Sequence, residues 1–191
     1  MAKRVFIVHG WGGSPNEAIH KWLKIALEKA GFEVIAPEMP NTDYPKITEW
    51  VDYLSRVVGE IDENIFFIGH SIGCQAIMRF LEKQNKKIGG VVFIAGWFNL
   101  ADMEGEEEER IAEPWIKEGI NFNNINKVAD KIVVFISSNE PYGYVKENAK
   151  IFEEKLHAKV IIEENKGHFT EGDGVIEVPE VVEAILQMQN D

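Results

Sequence analysis

Gly69-His70-Ser71-Ile72-Gly73 is the stretch with the sharpest chemical implication. An apolar run at 65–68 leads into it, and an apolar helical pattern leads out from Ile72. A serine on a sharp strand-to-helix turn is forced into a strained backbone conformation, and its hydroxyl projects clear of the strand. The chain is crowded there, so glycine fits both two positions before and two positions after. The following helix aims its unpaired N–H groups at the same point. Such a serine suits attack on an electrophilic centre. The bland reading is a helix-capping serine in a glycine-rich turn.

Three other loops carry polar residues worth weighing beside Ser71. His9-Gly10-Trp11-Gly12-Gly13 follows a first apolar run. Glu140 lies in a loop at 137–143, and His168 in a loop at 165–174. Each follows a predicted strand, so the arrangement of the strands decides which loops meet.

Strands are predicted at 5–8, 32–35, 65–68, 91–95, 132–136 and 159–162, from short apolar runs bounded by turn residues. Helical patterns alternate with them. Ser14 is the expected N-cap of the first helix, with Pro15 at its first position and Glu17 completing a capping box. Ile19, Trp22, Leu23, Ala26 and Ala30 form its apolar face, and Gly31 ends it. Ile47, Trp50, Val51, Leu54 and Val58 form the second stripe. The elbow helix runs over 72–84, and later stripes contain Val145, Ala149, Phe152 and Leu156, then Val182, Ile185 and Leu186 after Pro179. The segment 97–126 is less regular. Strict alternation implies an α/β fold: a three-layer αβα sandwich around a mostly parallel sheet of about six strands. In such a sheet the loops after the strands share one rim, so residues far apart in sequence meet there.

The residues now resemble a known family. Val8-His9-Gly10-Trp11-Gly12-Gly13-Ser14-Pro15, the Gly69–Gly73 elbow, Ser137-Ser138-Asn139-Glu140-Pro141, Gly167-His168-Phe169 and Glu113-Pro114-Trp115 are similar to segments of the retinoblastoma-binding-protein-9 and YdeN family of small serine hydrolases. That resemblance spans nearly the whole chain and implies a minimal α/β-hydrolase fold, with the order Ser, acid, His along the chain. It implies Ser71 as nucleophile, His168 as base and Glu140 as the acid that orients the imidazole. The family usually carries Asp before the proline of the acid loop. Glutamate serves in such triads, and Pro141 holds Glu140 away from helical conformation. Asp173 and Asp102 are the rival acids. The oxyanion hole would use the backbone N–H of Ile72 and that of Trp11 or Gly12.

Composition narrows the classes. The net charge is −12, which argues against nucleic-acid or anionic-membrane partners. Cys74 is the only cysteine, so no internal disulfide forms; a small buried apolar role is expected for it. The first apolar run is too short for a signal peptide or membrane span, and the chain is read as one cytoplasmic domain over 1–191, with 97–126 as a small cap segment. No phosphate-loop pattern is present. The five histidines form no His/Cys cluster in sequence, so no metal site and no cofactor are expected. His9 is expected to support the first loop, while His20 and His157 are expected on helix surfaces. Glu106 to Glu109 reads as a solvated face. Trp97 and Trp115 are either core or pocket lining.

The expected activity is a serine hydrolase cleaving a small ester, thioester or amide through an acyl-enzyme, with a small-molecule acyl substrate. The alternative is a protein-binding module on the same scaffold with a vestigial site. Acyl transfer to an acceptor other than water uses the same residues. A protein partner and homo-oligomerisation are left open.

Overall fold

The computed structural model describes residues 2–101, 103 and 105–190. Six strands form one sheet: β1 (Arg4–Val8), β2 (Glu33–Ile35), β3 (Ile65–His70), β4 (Gly90–Ile94), β5 (Ile132–Ser137) and β6 (Lys159–Glu163). Their order is β2-β1-β3-β4-β5-β6, and every adjacent pair is parallel. The chain first steps from β1 outward to β2, then returns to place β3 on the other side of β1. Order therefore reverses between β1 and β3. Loops leaving their carboxyl ends diverge there and open a crevice. The His9–Gly13 loop and the Ser71 elbow are those two loops.

Helices cover both faces. α1 (Ala18–Lys29) and α7 (Pro179–Asn190) pack on one. α2 (Ile47–Val58), α3 (Ile72–Leu81), α4 (Glu106–Lys117), α5 (Phe122–Val128) and α6 (Val145–Leu156) lie on the other. Strand residues alternate between the two cores: Phe6, Val8, Phe67 and Phe93 face one, while Val5, Ile7, Phe66 and Val92 face the other. This is the period-2 geometry of strands buried on both faces. β3 and α3 are buried along their whole lengths, so Ser71 rides between a fully buried strand and a fully buried helix.

Several local readings change. α1 starts at Ala18, not Pro15, and Glu17 is its N-cap without a side-chain capping bond. The Ser14 hydroxyl instead accepts the N–H of Asn16 at 3.1 Å. The Ser14 carbonyl receives the ring of His20 at 3.0 Å, so a local turn replaces the capping box. The buried stripe of α1 is Ile19, His20, Leu23 and Leu27, while Ala30 is exposed. His20 is fully buried rather than a surface residue. α3 ends at Leu81, three residues before the expected end. The irregular segment 97–126 contains α4 and the start of α5, and both helices pack into the core. Trp115 is buried against Trp50 and donates to the Pro45 carbonyl at 3.0 Å. The buried Arg79 of α3 donates to the carbonyls of Trp115 and Glu118 at 2.9 and 2.8 Å, which satisfies the C-terminal end of α4. Glu106 to Glu109 fill the first turn of α4, where negative charge suits the helix dipole.

Candidate active site

Ser71 has φ 54° and ψ −123°, outside the regions an L-residue ordinarily adopts. Such strain persists only where the surroundings over-determine it. Here the constraints are specific. A Cβ on Gly69 would lie 2.8 Å from the Cys74 nitrogen. One on Gly73 would lie 2.3 Å from the Val8 carbonyl oxygen. The helix therefore starts so close to β1 and β3 that both flanking positions exclude side chains. The Ser71 N–H is fixed on the Ile94 carbonyl at 2.9 Å.

The first loop approaches equally closely, and a Cβ on Gly10 would stand 3.3 Å from that of Ser71. Its shape is held from the other side. The Gly12 N–H donates to Thr42 at 2.8 Å, and the Trp11 indole donates to the Asp43 carbonyl at 2.9 Å. Gly12 thus spends its N–H internally. Among the described residues the N–H groups of Trp11 and Ile72 have no internal acceptor, so these two remain available to a ligand. His9 is buried beneath this loop. Its Nδ1 donates to the Gly10 carbonyl at 2.8 Å, and its Nε2 accepts the Met39 N–H at 3.0 Å. The Nε2 bond, in which the ring accepts, requires the neutral form. Desolvation by burial keeps its pKa below the ordinary value, against the Gly10 bond that works the other way.

His168 and Glu140 meet. His168 Nδ1 lies 2.7 Å from Glu140 Oε1, and both side chains are largely buried. A carboxylate accepts, so the proton sits on Nδ1 and leaves Nε2 with a lone pair. Asp173 goes elsewhere. Its Oδ2 accepts the backbone N–H of His168 at 2.9 Å, the Thr170 N–H at 3.1 Å and the Thr170 hydroxyl at 2.6 Å. Partial desolvation raises its pKa, but the Thr170 and His168 bonds outweigh it, and the carboxyl sits below its ordinary value. The rival Asp102 lies outside the described residues.

Residues not singled out from sequence tie the two loops together. The buried Ser137 hydroxyl accepts the Lys166 N–H at 2.8 Å and donates to Asn139 Oδ1 at 2.6 Å. That oxygen also accepts the Gly167 N–H at 2.9 Å. The ring of His70 reaches the His168 carbonyl at 2.8 Å, joining the elbow to the histidine loop. Burial, with His168 and His20 nearby, pushes the His70 pKa down to about 3.

Ser71 and His168 line one cavity of about 320 Å³, with Gly10, Trp11, Trp97 and Tyr142 among its walls. The Trp97 indole N–H stands 3.5 Å from Ser71 Oγ. The Ser71 hydroxyl makes no direct hydrogen bond to His168. Trp97 is therefore pocket lining and Trp115 is core. The wall behind Trp97 is held by the buried Asn148, whose Oδ1 accepts the N–H groups of Phe98 and Asn99 at 2.9 Å. Cys74 is wholly buried behind the elbow, and burial pushes its thiol pKa up, in keeping with a packing role. His157 is exposed and caps the C-terminus of α6. No described helix is long and apolar enough to cross a membrane.

Known proteins share this architecture. YdeN of Bacillus subtilis is 27% identical over 190 residues, covering 97% of this chain and 95% of its own. The serine hydrolase RBBP9 of Rattus norvegicus is 28% identical over 166 residues, 84% of this chain and 78% of its own. The crystal structure of the B. subtilis ydeN product superposes with a TM-score of 0.89 at 24% identity and covers both chains fully. Est1E of Butyrivibrio proteoclasticus, solved with ferulic acid, superposes at 0.75 with 12% identity, over 98% of this chain and 88% of its own. The fold is that of the α/β-hydrolases. The serine hydrolase family model matches residues 5–187, and the chain belongs to that family.

Proposed function

We propose that Ser71, His168 and Glu140 hydrolyse a small carboxylic ester, thioester or amide through an acyl-enzyme. Ser71 Oγ attacks the carbonyl carbon, and its proton passes to His168 Nε2. Negative charge develops on the former carbonyl oxygen, where the N–H groups of Trp11 and Ile72 receive it. The imidazolium returns the proton to the leaving alcohol, thiol or amine as the bond to the acyl carbon breaks. Water then attacks the acyl-serine as His168 takes its proton; the bond from the acyl carbon to Ser71 Oγ breaks, His168 returns the proton to Oγ, and the acid departs. Glu140 keeps the ring in the Nδ1–H tautomer and offsets its positive charge.

The observation that carries this reading is the 2.7 Å contact between Glu140 and His168, on a ring that lines the cavity containing Ser71. Catalytic hydrogen bonds to the nucleophile are often long or misaligned without substrate, so the gap between Ser71 and His168 is compatible with it. A volume of about 320 Å³ is at the small end for ligand sites and favours short acyl groups. Glutamate in place of the family's usual aspartate is one ground for the vestigial-site alternative, and its reach to the His168 ring supports the active reading over it. The test is turnover of a series of nitrophenyl esters of increasing acyl length. Short esters are expected to react fastest, and Ser71→Ala to abolish turnover. Equal turnover by Ser71→Ala would overturn the assignment.

A further inference from the structure

Behind the first loop, Glu17, His20 and His70 converge, and their ligand-capable atoms lie within 4.8 Å of one another. His20 and His70 are almost completely buried. The tautomer of each follows from its partner. His70 Nε2 faces the His168 carbonyl at 2.8 Å, so the proton is on Nε2 and Nδ1 holds a lone pair. His20 Nδ1 faces the Ser14 carbonyl at 3.0 Å, so its Nε2 holds a lone pair. Both of these nitrogens are buried without a hydrogen-bond partner. Glu17 Oε2 is buried as well, with no donor aligned on it. It lies 3.0 Å from His20 Nδ1, but the single hydrogen there is aligned on Ser14.

Three acceptors with no donor between them are an unfavourable arrangement in a buried place. One water molecule has two hydrogens for three acceptors. A cation takes an electron pair from each. The second shell agrees: each imidazole gives its other N–H to a backbone carbonyl, the usual way in which metal-binding histidines are oriented. Two imidazoles and a carboxylate suit zinc and its first-row neighbours. Glu17 and His70 also line the cavity beside Ser71, so a fourth position faces that space.

We propose that Glu17, His20 and His70 bind a divalent cation of the zinc class beneath the first loop, with one coordination position open to the cavity. The expectation of no metal site rested on the lack of a His/Cys cluster in sequence. The fold brings the end of β3 to the first turn of α1 and so assembles a donor set that spacing conceals.

Cobalt(II) is the probe, because a low-coordinate protein site gives it intense visible absorption. The purified full chain is titrated with Co²⁺ and then with competing Zn²⁺. One Co²⁺ per chain is expected, displaced by Zn²⁺. Glu17→Gln and His20→Gln should each weaken uptake by at least about 100-fold. His157→Gln, which alters an exposed histidine, should leave it unchanged. His20 is buried and its replacement can unfold the chain, so Glu17→Gln, checked by circular dichroism, carries the decision. No saturable uptake by the native chain, or undiminished uptake by folded Glu17→Gln, would overturn the proposal. The titration is repeated on Ser71→Ala, which keeps all three ligands, so the result stands apart from the hydrolase reading.

Discussion

The Glu140 carboxylate meets the His168 imidazole at 2.7 Å, across loops that leave the neighbouring strands β5 and β6. The contact fixes the tautomer and stabilises the ring when it is charged. Glu140→Gln keeps the size but loses the charge. It is expected to lower kcat by about 10³- to 10⁴-fold with little change in KM. Glu140→Asp, one methylene shorter, should fall between. Steady-state ester kinetics check this, and a Glu140→Gln variant at the native rate would remove Glu140 from the mechanism.

Asp173 holds the backbone of His168 rather than its ring. Asp173→Asn should therefore act by loosening the loop. The expected loss in kcat is on the order of tenfold, well short of that for Glu140→Gln. Amide hydrogen exchange over 167–174 should quicken in the same variant. If Asp173→Asn matched Glu140→Gln in its effect on kcat while exchange stayed unchanged, the two carboxylates would have to trade roles.

Gly73→Ala would set a methyl carbon 2.3 Å from the Val8 carbonyl and 2.7 Å from that of His9. Both are backbone atoms of β1 and its loop and cannot turn aside. A loss of about 3 kcal/mol or more is expected by chemical denaturation. Gly12→Ala meets no atom within 4 Å and carries only the strain of φ +64°. It should lose about 1 kcal/mol. Equal stabilities for the two variants would contradict the close approach of α3 to β1.

His9 gives the fold a dependence on acid. Desolvation holds its folded pKa below the ordinary 6.5, the Gly10 bond and the Glu17 and Glu38 charges oppose this, and His20 adds to it. Above the ordinary histidine range both folded and unfolded chains are neutral at this group. As pH falls below it, the unfolded chain takes up the proton first, so the folded state loses stability. One such group contributes a slope of at most about 1.4 kcal/mol per pH unit. Protonation at Nε2 would also break the bond from Met39 N–H. Urea unfolding between about pH 7.5 and about pH 5 should show falling stability, with a shallower fall in His9→Asn. The same slope in both would show that His9 carries none of it.

The layer order and the functional rim were legible because strands such as 65–68 are short apolar runs set between amphipathic stripes. The positions of Ser71, Glu140 and His168 after β3, β5 and β6 followed from that alternation. The start of α1 was not legible. Ser14, Pro15 and Glu17 fit a capping box, but the buried His20 takes the Ser14 carbonyl and turns the chain first. His20 could have been read as buried, since His20, Leu23 and Leu27 fall at helical spacing on one face. Glu140 was legible as the acid from its place after β5, but the meeting of its carboxylate with the His168 ring was beyond pattern reading. It depends on the Ser137 and Asn139 bonds that set the two loops against each other. The core role of Trp115 depends on Arg79, a buried cation that no hydrophobic pattern announces.

Activation of Ser71 as a nucleophile can be read directly by covalent labelling. A fluorophosphonate forms a stable bond to such a serine and to no ordinary one. Intact-mass and peptide analysis of the labelled chain should show one adduct, on Ser71. The adduct should be absent from Ser71→Ala and slow to form in His168→Ala. A folded native chain that takes up no label, or takes it up at a residue other than Ser71, would contradict an activated serine at position 71.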